Sequence, residues 1–149
     1  MDWFLPVVFY FNVKFQGNPP IGEVAFKSVL GLDTEMEFES VKEGGVNNFE
    51  YKLPKQVKHG NLILKRAMMP IENNLGNWIK EILENTFEKP VQTRNVIITL
   101  LNEDGDPMYY WTCANAYPVK WNVEGFDAEK NEVAIESLEL SYSTLKRGQ

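Results

Sequence analysis

Apolar and polar residues alternate most cleanly near the start of the chain. Over residues 7–15, Val7, Phe9, Phe11, Val13 and Phe15 share one parity, while Val8, Tyr10, Asn12 and Lys14 share the other. That period of two with one wholly apolar face predicts a β-strand. Gly17, Asn18, Pro19 and Pro20 end it, and a second strand is expected over 23–30 before a turn at Gly31, Leu32 and Asp33. Residues 34–41 set Glu35, Glu37 and Glu39 against Met36 and Phe38, a strand with an acidic outer face. Residues 61–69 place Leu62, Leu64 and Arg66 opposite Ile63, Lys65 and Ala67 in another.

The period then lengthens. Leu75, Trp78, Ile79, Ile82, Leu83 and Phe87 recur at helical spacing, with Asn77, Lys80, Glu81, Glu84 and Glu88 largely opposite. This predicts one amphipathic helix over 72–87, with Asn73 or Asn74 as its cap and Pro90 as its stop, lying on a sheet. Two β runs, 94–101 and 108–114, flank an Asp104-Gly105 hairpin signal. Near the C-terminus, 117–123 is aromatic and β-branched, and a last run starts at Glu132. There Val133 and Ile135 fall on one parity, and Leu138, Leu140 and Tyr142 on the other. A β-bulge near Glu136 and Ser137 is expected to reset the phase. The sum is about eight strands and one helix, a mainly β or α+β domain spanning residues 1–149.

Residues 42–60 break the pattern. Gly44, Gly45, Asn47, Asn48, Pro54 and several lysines leave no sustained period, so a long loop is expected. Loops of this length inside a compact domain usually mean either function or disorder. Phe49, Tyr51 and Leu53 alternate within it, which suits an arm that orders against another surface, a partner's ahead of its own domain's.

Composition narrows the function by exclusion. The 149 residues carry 15 basic and 21 acidic side chains, a net charge of −6, which argues against a nucleic-acid or anionic-membrane surface. With 44% hydrophobic residues the chain has material for a core. Asp2 in place of a basic segment, and Pro6 within the apolar start, read as a first strand with neither signal peptide nor membrane anchor, so cytoplasmic synthesis is expected. The lone Cys113 reads as a small buried hydrophobe, and the lone His59 as an exposed loop residue. Asn102, Asp104 and Asp106 begin like a calcium loop, but Pro107 stands where the turn needs glycine and Cys113 where a bidentate glutamate belongs. Gly44-Gly45 lacks the lysine and the later glycine of a phosphate loop. No catalytic, cofactor or metal residues are assigned, and a structural or binding role is favoured. A monomeric β-barrel holding a small apolar ligand among Phe9, Phe11 and Phe15 is the alternative from another class.

The C-terminal stretch also carries a resemblance. Tyr117, Pro118, Val119, Lys120 and Trp121, then Asn131, Glu132, Val133, Ala134, Ile135, Glu136, Leu138 and Leu140, resemble the signature of tail tube proteins from contractile phage tails and phage-derived injection systems. Gly31-Leu32, Gly44-Gly45, Leu53-Pro54, the 62–66 run, Trp78 and the 104–107 turn extend the similarity over most of the chain. The resemblance implies two packed antiparallel sheets in a barrel-like, Hcp-like domain with one flanking helix. It implies hexameric rings stacked into a hollow tube, without catalysis or cofactor. Sheath, baseplate and tail-terminator proteins would be partners, and cargo or DNA would pass through the lumen without specific binding. The arm, about residues 41–60 with Gly44, Gly45, Phe49, Tyr51, Leu53 and Pro54, would touch neighbouring protomers or the next ring. Lys55 and Ala67 stand where the family commonly has glycine, which suits a specialised ring such as a tube initiator at the baseplate.

Overall fold

The computed structural model describes residues 10–42, 50–67, 73–84, 90–124 and 134–148. The elements run β1 (Tyr10–Phe15), β2 (Gly22–Phe26), β3 (Ser28–Leu30), β4 (Glu35–Lys42), β5 (Glu50–Lys58), β6 (Leu62–Ala67), α1 (Asn73–Leu83), β7 (Arg94–Leu101), β8 (Pro107–Glu124), β9 (Ile135–Ser141) and β10 (Thr144–Gly148). All pairings are antiparallel.

Two sheets share one long ribbon. The 108–114 and 117–123 runs are a single strand, β8, and β9 and β10 lie along one edge of it, with Ser141 opposite Tyr117 and Thr144 opposite Ala114. The first half of β8, between β7 and β10, belongs to a sheet ordered β2-β1-β7-β8-β10. Its second half starts the other sheet, β8-β9-β6-β3. The crossing is marked by Asn115, whose φ of 56° is the left-handed conformation that asparagine tolerates among non-glycine residues. Its backbone N–H donates to Asn95 Oδ1 (3.1 Å), and its Nδ2 donates to Ser143 Oγ (2.9 Å), so both strands bend at one place. At the opposite corner the predicted 23–30 strand splits at Lys27, with β2 in one sheet and β3 in the other. The sheets face each other across a core but do not close into a barrel.

That core holds Val13, Phe15, Val24, Phe26, Leu62, Leu64, Val96, Ile98, Cys113, Leu138 and Leu140, with Leu75, Trp78 and Ile79 supplied by α1. Each such side chain stabilises the fold by about 1.5–3 kcal/mol when fully buried. The edge of Phe15 meets Trp78 with ring centroids 5.8 Å apart, and Trp78 Nε1 donates to the carbonyl of Gln92 (2.9 Å). Arg94 fastens the β1–β2 loop beside the helix by donating from Nη2 to the carbonyl of Pro19 (3.0 Å). Burial pulls its guanidinium down from the usual arginine value, and Glu81 opposes that shift. Asn74 lies inside α1 and ties its first turn to the carbonyl of Pro20.

The structure corrects two expectations. The phase of β9 is not reset at Glu136 and Ser137. Ala134, Glu136, Leu138, Leu140 and Tyr142 all point inward, and β9 pairs with β6 without a break. The irregularity lies across the ladder, between Pro118 and Lys120 of β8. Glu136 disguises the inward face because it is a buried charge, neutralised where Arg66 Nε donates to its Oε2 (3.0 Å) and satisfied where Trp121 Nε1 donates to its Oε1 (2.7 Å). The second correction concerns the expected long loop: residues 50–58 form β5, which pairs with β4 in a separate two-stranded sheet. Pro54 hid this strand. It sits opposite Phe38, beside a register shift between Met36 and Phe38, the kind of position where a residue without an N–H is tolerated in a ladder.

Candidate assembly surface

The residues singled out in the sequence divide into two groups with different surroundings. Tyr117, Pro118 and Lys120 lie in the crossing ribbon opposite Ser141, Leu140 and Glu139. Pro118, Ala134, Glu136 and Leu138 are buried, and Ile135 is half-buried opposite Ala67. These residues hold the sheets together. Asn131, Glu132 and Val133 lie outside the described residues, as do Gly44, Gly45 and Phe49 of the arm. Tyr51, Leu53 and Pro54 fall on β5, opposite Val41, Glu39 and Phe38.

The described surface offers two kinds of unmet contact. The β4–β5 hairpin pairs with no other strand among the described residues. Near its base Met36 and Val57 stand opposite one another and are 46% and 56% exposed, an apolar cross-strand pair without a core of its own. A lone two-stranded hairpin is only marginally stable in water, so this one gains from a surface to lie on. The second kind is strand edges. In the four-stranded sheet, β3 ends one side and the second half of β8 ends the other, each unpaired outward among the described residues. Leu30 on β3 (49% exposed) and Val123 on β8 (44%) place large apolar side chains at those edges. Beside Val119 an open groove of about 950 Å³ runs between the end of α1 and β8, lined by Ile82, Leu83, Val91, Tyr117 and Pro118.

The hairpin is rooted in a compact cluster. Tyr142, at the β9–β10 corner, donates from its hydroxyl to the carbonyl of Gly31 (3.1 Å) on the outgoing leg. Its ring stacks on His59 of the returning leg, with centroids 3.8 Å apart and planes 2° from parallel. His59, expected to be an exposed loop residue, is half-buried and also contacts the carbonyls of Gly60 (2.9 Å) and Ser143 (3.1 Å). Gly31 is required here: its φ is +92°, and a Cβ would stand 1.9 Å from the carbonyl oxygen of Asn61. Desolvation raises the Tyr142 phenol well above the usual tyrosine value, with smaller contributions from Cys113 and Asp33. Cys113 is fully buried as expected, and burial pushes its thiol up to about 12. Of the residues on which a ligand-binding reading depends, Phe15 is buried in the core, Phe11 packs against it half-buried, and Phe9 lies outside the described residues.

A family model described as the T4-like virus tail tube protein gp19 matches residues 7–146. The chain belongs to this tail tube family. Among solved structures, a chain of the anti-feeding prophage baseplate, 6-fold symmetrised, is 33% identical, with a TM-score of 0.78 over 97% of this chain and 94% of that one. A chain of the extracellular contractile injection system PVC sheath-tube complex in its extended state is 26% identical, with a TM-score of 0.75 over 99% and 93%. Hcp1 from Salmonella typhimurium shares the fold alone, at 15% identity and a TM-score of 0.57 over 94% and 85%. No curated protein sequence matches the chain. This tail tube protein thus has an Hcp-like fold and is similar to chains found in phage-tail-like contractile injection particles.

Nothing in residues 42–60 or in the tail signature advertised the root cluster. Tyr142 reads as one more apolar position, and the partners of His59 are backbone oxygens that no side-chain pattern encodes. Gly31, at a turn before an acidic strand, was the only sequence signal for it.

Proposed function

We propose that this tail tube protein forms six-membered rings that stack into a hollow conduit for cargo or DNA and catalyse nothing. The observation that carries the reading is the β4–β5 hairpin, a pair of strands bound to no other strand among the described residues, with Met36 and Val57 bare at its base. Rings close when the β3 edge of one copy meets the β8 edge of the next, a head-to-tail contact that repeats around an axis. The hairpin then reaches a neighbouring copy or the next ring. Six copies follow the 6-fold symmetry of the related baseplate. Sheath, baseplate and terminator proteins are its partners by analogy with the particles in which similar chains occur.

The test is sedimentation of the wild-type chain beside Leu30→Glu and Val123→Glu. Charge at either edge is expected to leave folded monomers where the wild type forms rings. Rings that survive both substitutions would remove the edge contact from the account.

A second reading places the chain at the baseplate as the ring from which the tube starts. It is favoured by the 33% identity to a baseplate chain, against 26% to a sheath-tube chain. Negative-stain images separate the two: long spontaneous tubes support the repeated subunit, and single rings that bind a baseplate hub support the initiator.

A further inference from the structure

We propose that His59 is a pH-sensitive staple that locks the root of the β4–β5 hairpin onto the β9–β10 corner when its ring is protonated and releases one of its two holds when the ring is neutral. The inference rests on the reading of the hairpin as an assembly arm, and it adds a condition under which the arm is set.

The argument is one of donors and acceptors. His59 Nδ1 lies 2.9 Å from the carbonyl oxygen of Gly60, and Nε2 lies 3.1 Å from that of Ser143. Carbonyl oxygens only accept, so both contacts are hydrogen bonds only if both ring nitrogens carry hydrogen. A neutral imidazole has one N–H, and whichever tautomer it adopts, one nitrogen lone pair then faces an oxygen at hydrogen-bond distance. The Ser143 contact bridges residues 84 positions apart, from the returning leg of the hairpin to the corner where the two sheets share their ribbon. The His59 ring also stacks face to face on Tyr142, which joins the two side chains at the same corner. Tyr142 in turn holds Gly31 on the outgoing leg, so both legs meet on one side chain. Protonation of one ring therefore acts on the whole root.

Other charged and titratable groups surround the cluster. Lys58 precedes His59 at the end of β5, Glu139 of β9 accepts from Asn61 Nδ2 (2.9 Å), and Asp33 and Cys113 act on Tyr142. Tyr142 and Cys113 ordinarily ionise above neutral pH and are raised further by burial, so both stay protonated across this range. Histidine is the side chain whose ordinary titration lies between pH 5 and 8, and His59 is the only one in the chain.

The experiment is amide hydrogen exchange at pH 5.5 and pH 8.0, corrected for intrinsic rates, on the wild type and on His59→Phe, which keeps an aromatic ring on Tyr142 but cannot titrate. In the wild type, amides of residues 31–34 and 57–61 are expected to be about 2- to 10-fold better protected at pH 5.5, the effect of one hydrogen bond. In His59→Phe the ratio is expected to fall to one. Equal protection at both pH values in the wild type, or a pH effect that persists in the phenylalanine variant, overturns the staple. Sedimentation of the same samples keeps the two ideas apart. A root that tightens at pH 5.5 without change in assembly leaves the staple standing and counts against the arm, whereas assembly that ignores pH while the root also ignores it sinks the staple alone.

Discussion

The sandwich and the hairpin are both antiparallel β-structure, yet they are held by different means. In the sandwich most strands bury one face, β3 and β10 excepted, and one ion pair, Arg66 with Glu136, is internal. Among the described residues the β4–β5 hairpin pairs with no other strand and, where its side chains are described, shows Met36 and Val57 to solvent. Its attachment to the sandwich runs through Gly31, His59 and Tyr142 at its root. The difference teaches where stability and function are placed. The sandwich carries its own energy of folding, whereas the hairpin, under the assembly proposed above, would be completed by another surface.

The comparison is broken most severely inside the sandwich. Arg66→Ala leaves the Glu136 carboxylate buried without its cation, and urea unfolding is expected to show a loss of about 3–5 kcal/mol. Replacing the pair together, Arg66→Met with Glu136→Leu, should recover most of that loss; a single variant that unfolds like the wild type would mean that the pair is not buried. At the root, Gly31→Ala combines a positive φ with a close approach to Asn61 and should cost more than about 1 kcal/mol in thermal or denaturant unfolding. A neutral result would show that the two legs separate more readily than the geometry implies.

A separate effect is a dependence on alkaline pH. The Cys113 thiol is raised by burial from 9.0 to about 12, so its neutral form belongs to the fold. That contribution is complete below the unfolded value of 9.0 and is lost as pH climbs toward 12, because the unfolded chain releases the proton first. Tyr142 acts in the same direction from a higher starting point. Stability should therefore decline above about pH 9, and Cys113→Val should flatten the first part of that decline. An identical pH profile for the variant would assign the decline to other groups.

The smallest effect on folding is expected from the hairpin itself. Met36→Lys with Val57→Lys changes two exposed positions and should shift unfolding by no more than about 0.5 kcal/mol per site. The same pair of charges should abolish stacking, which sedimentation at high protein concentration reads directly.

Legibility in the sequence follows the same division. β1, β6, α1 and β7 could be read because each sets apolar side chains against one core at the proper period. β9 was misphased because its inward face includes Glu136, and only the structure shows that Arg66, seventy residues earlier, neutralises it. β5 was missed because Pro54 interrupts its alternation. The unity of β8 was hidden by Asn115, whose left-handed turn resembles a break between two strands. The β4–β5 hairpin falls where the composition is unusual, but its root was not legible, because the decisive contacts are from ring nitrogens and a phenol to backbone oxygens.

The most direct test of the central claim is the native mass of the purified chain across a concentration series, with images of the same samples, for the wild type and the Met36→Lys, Val57→Lys variant. Six chains of 17.2 kDa give rings of about 103 kDa. The wild type is predicted to form such rings and to stack them as concentration rises, while the variant stops at single rings or smaller species. A 17.2 kDa monomer at every concentration, or stacks that form equally well with lysines at both positions, would contradict the account.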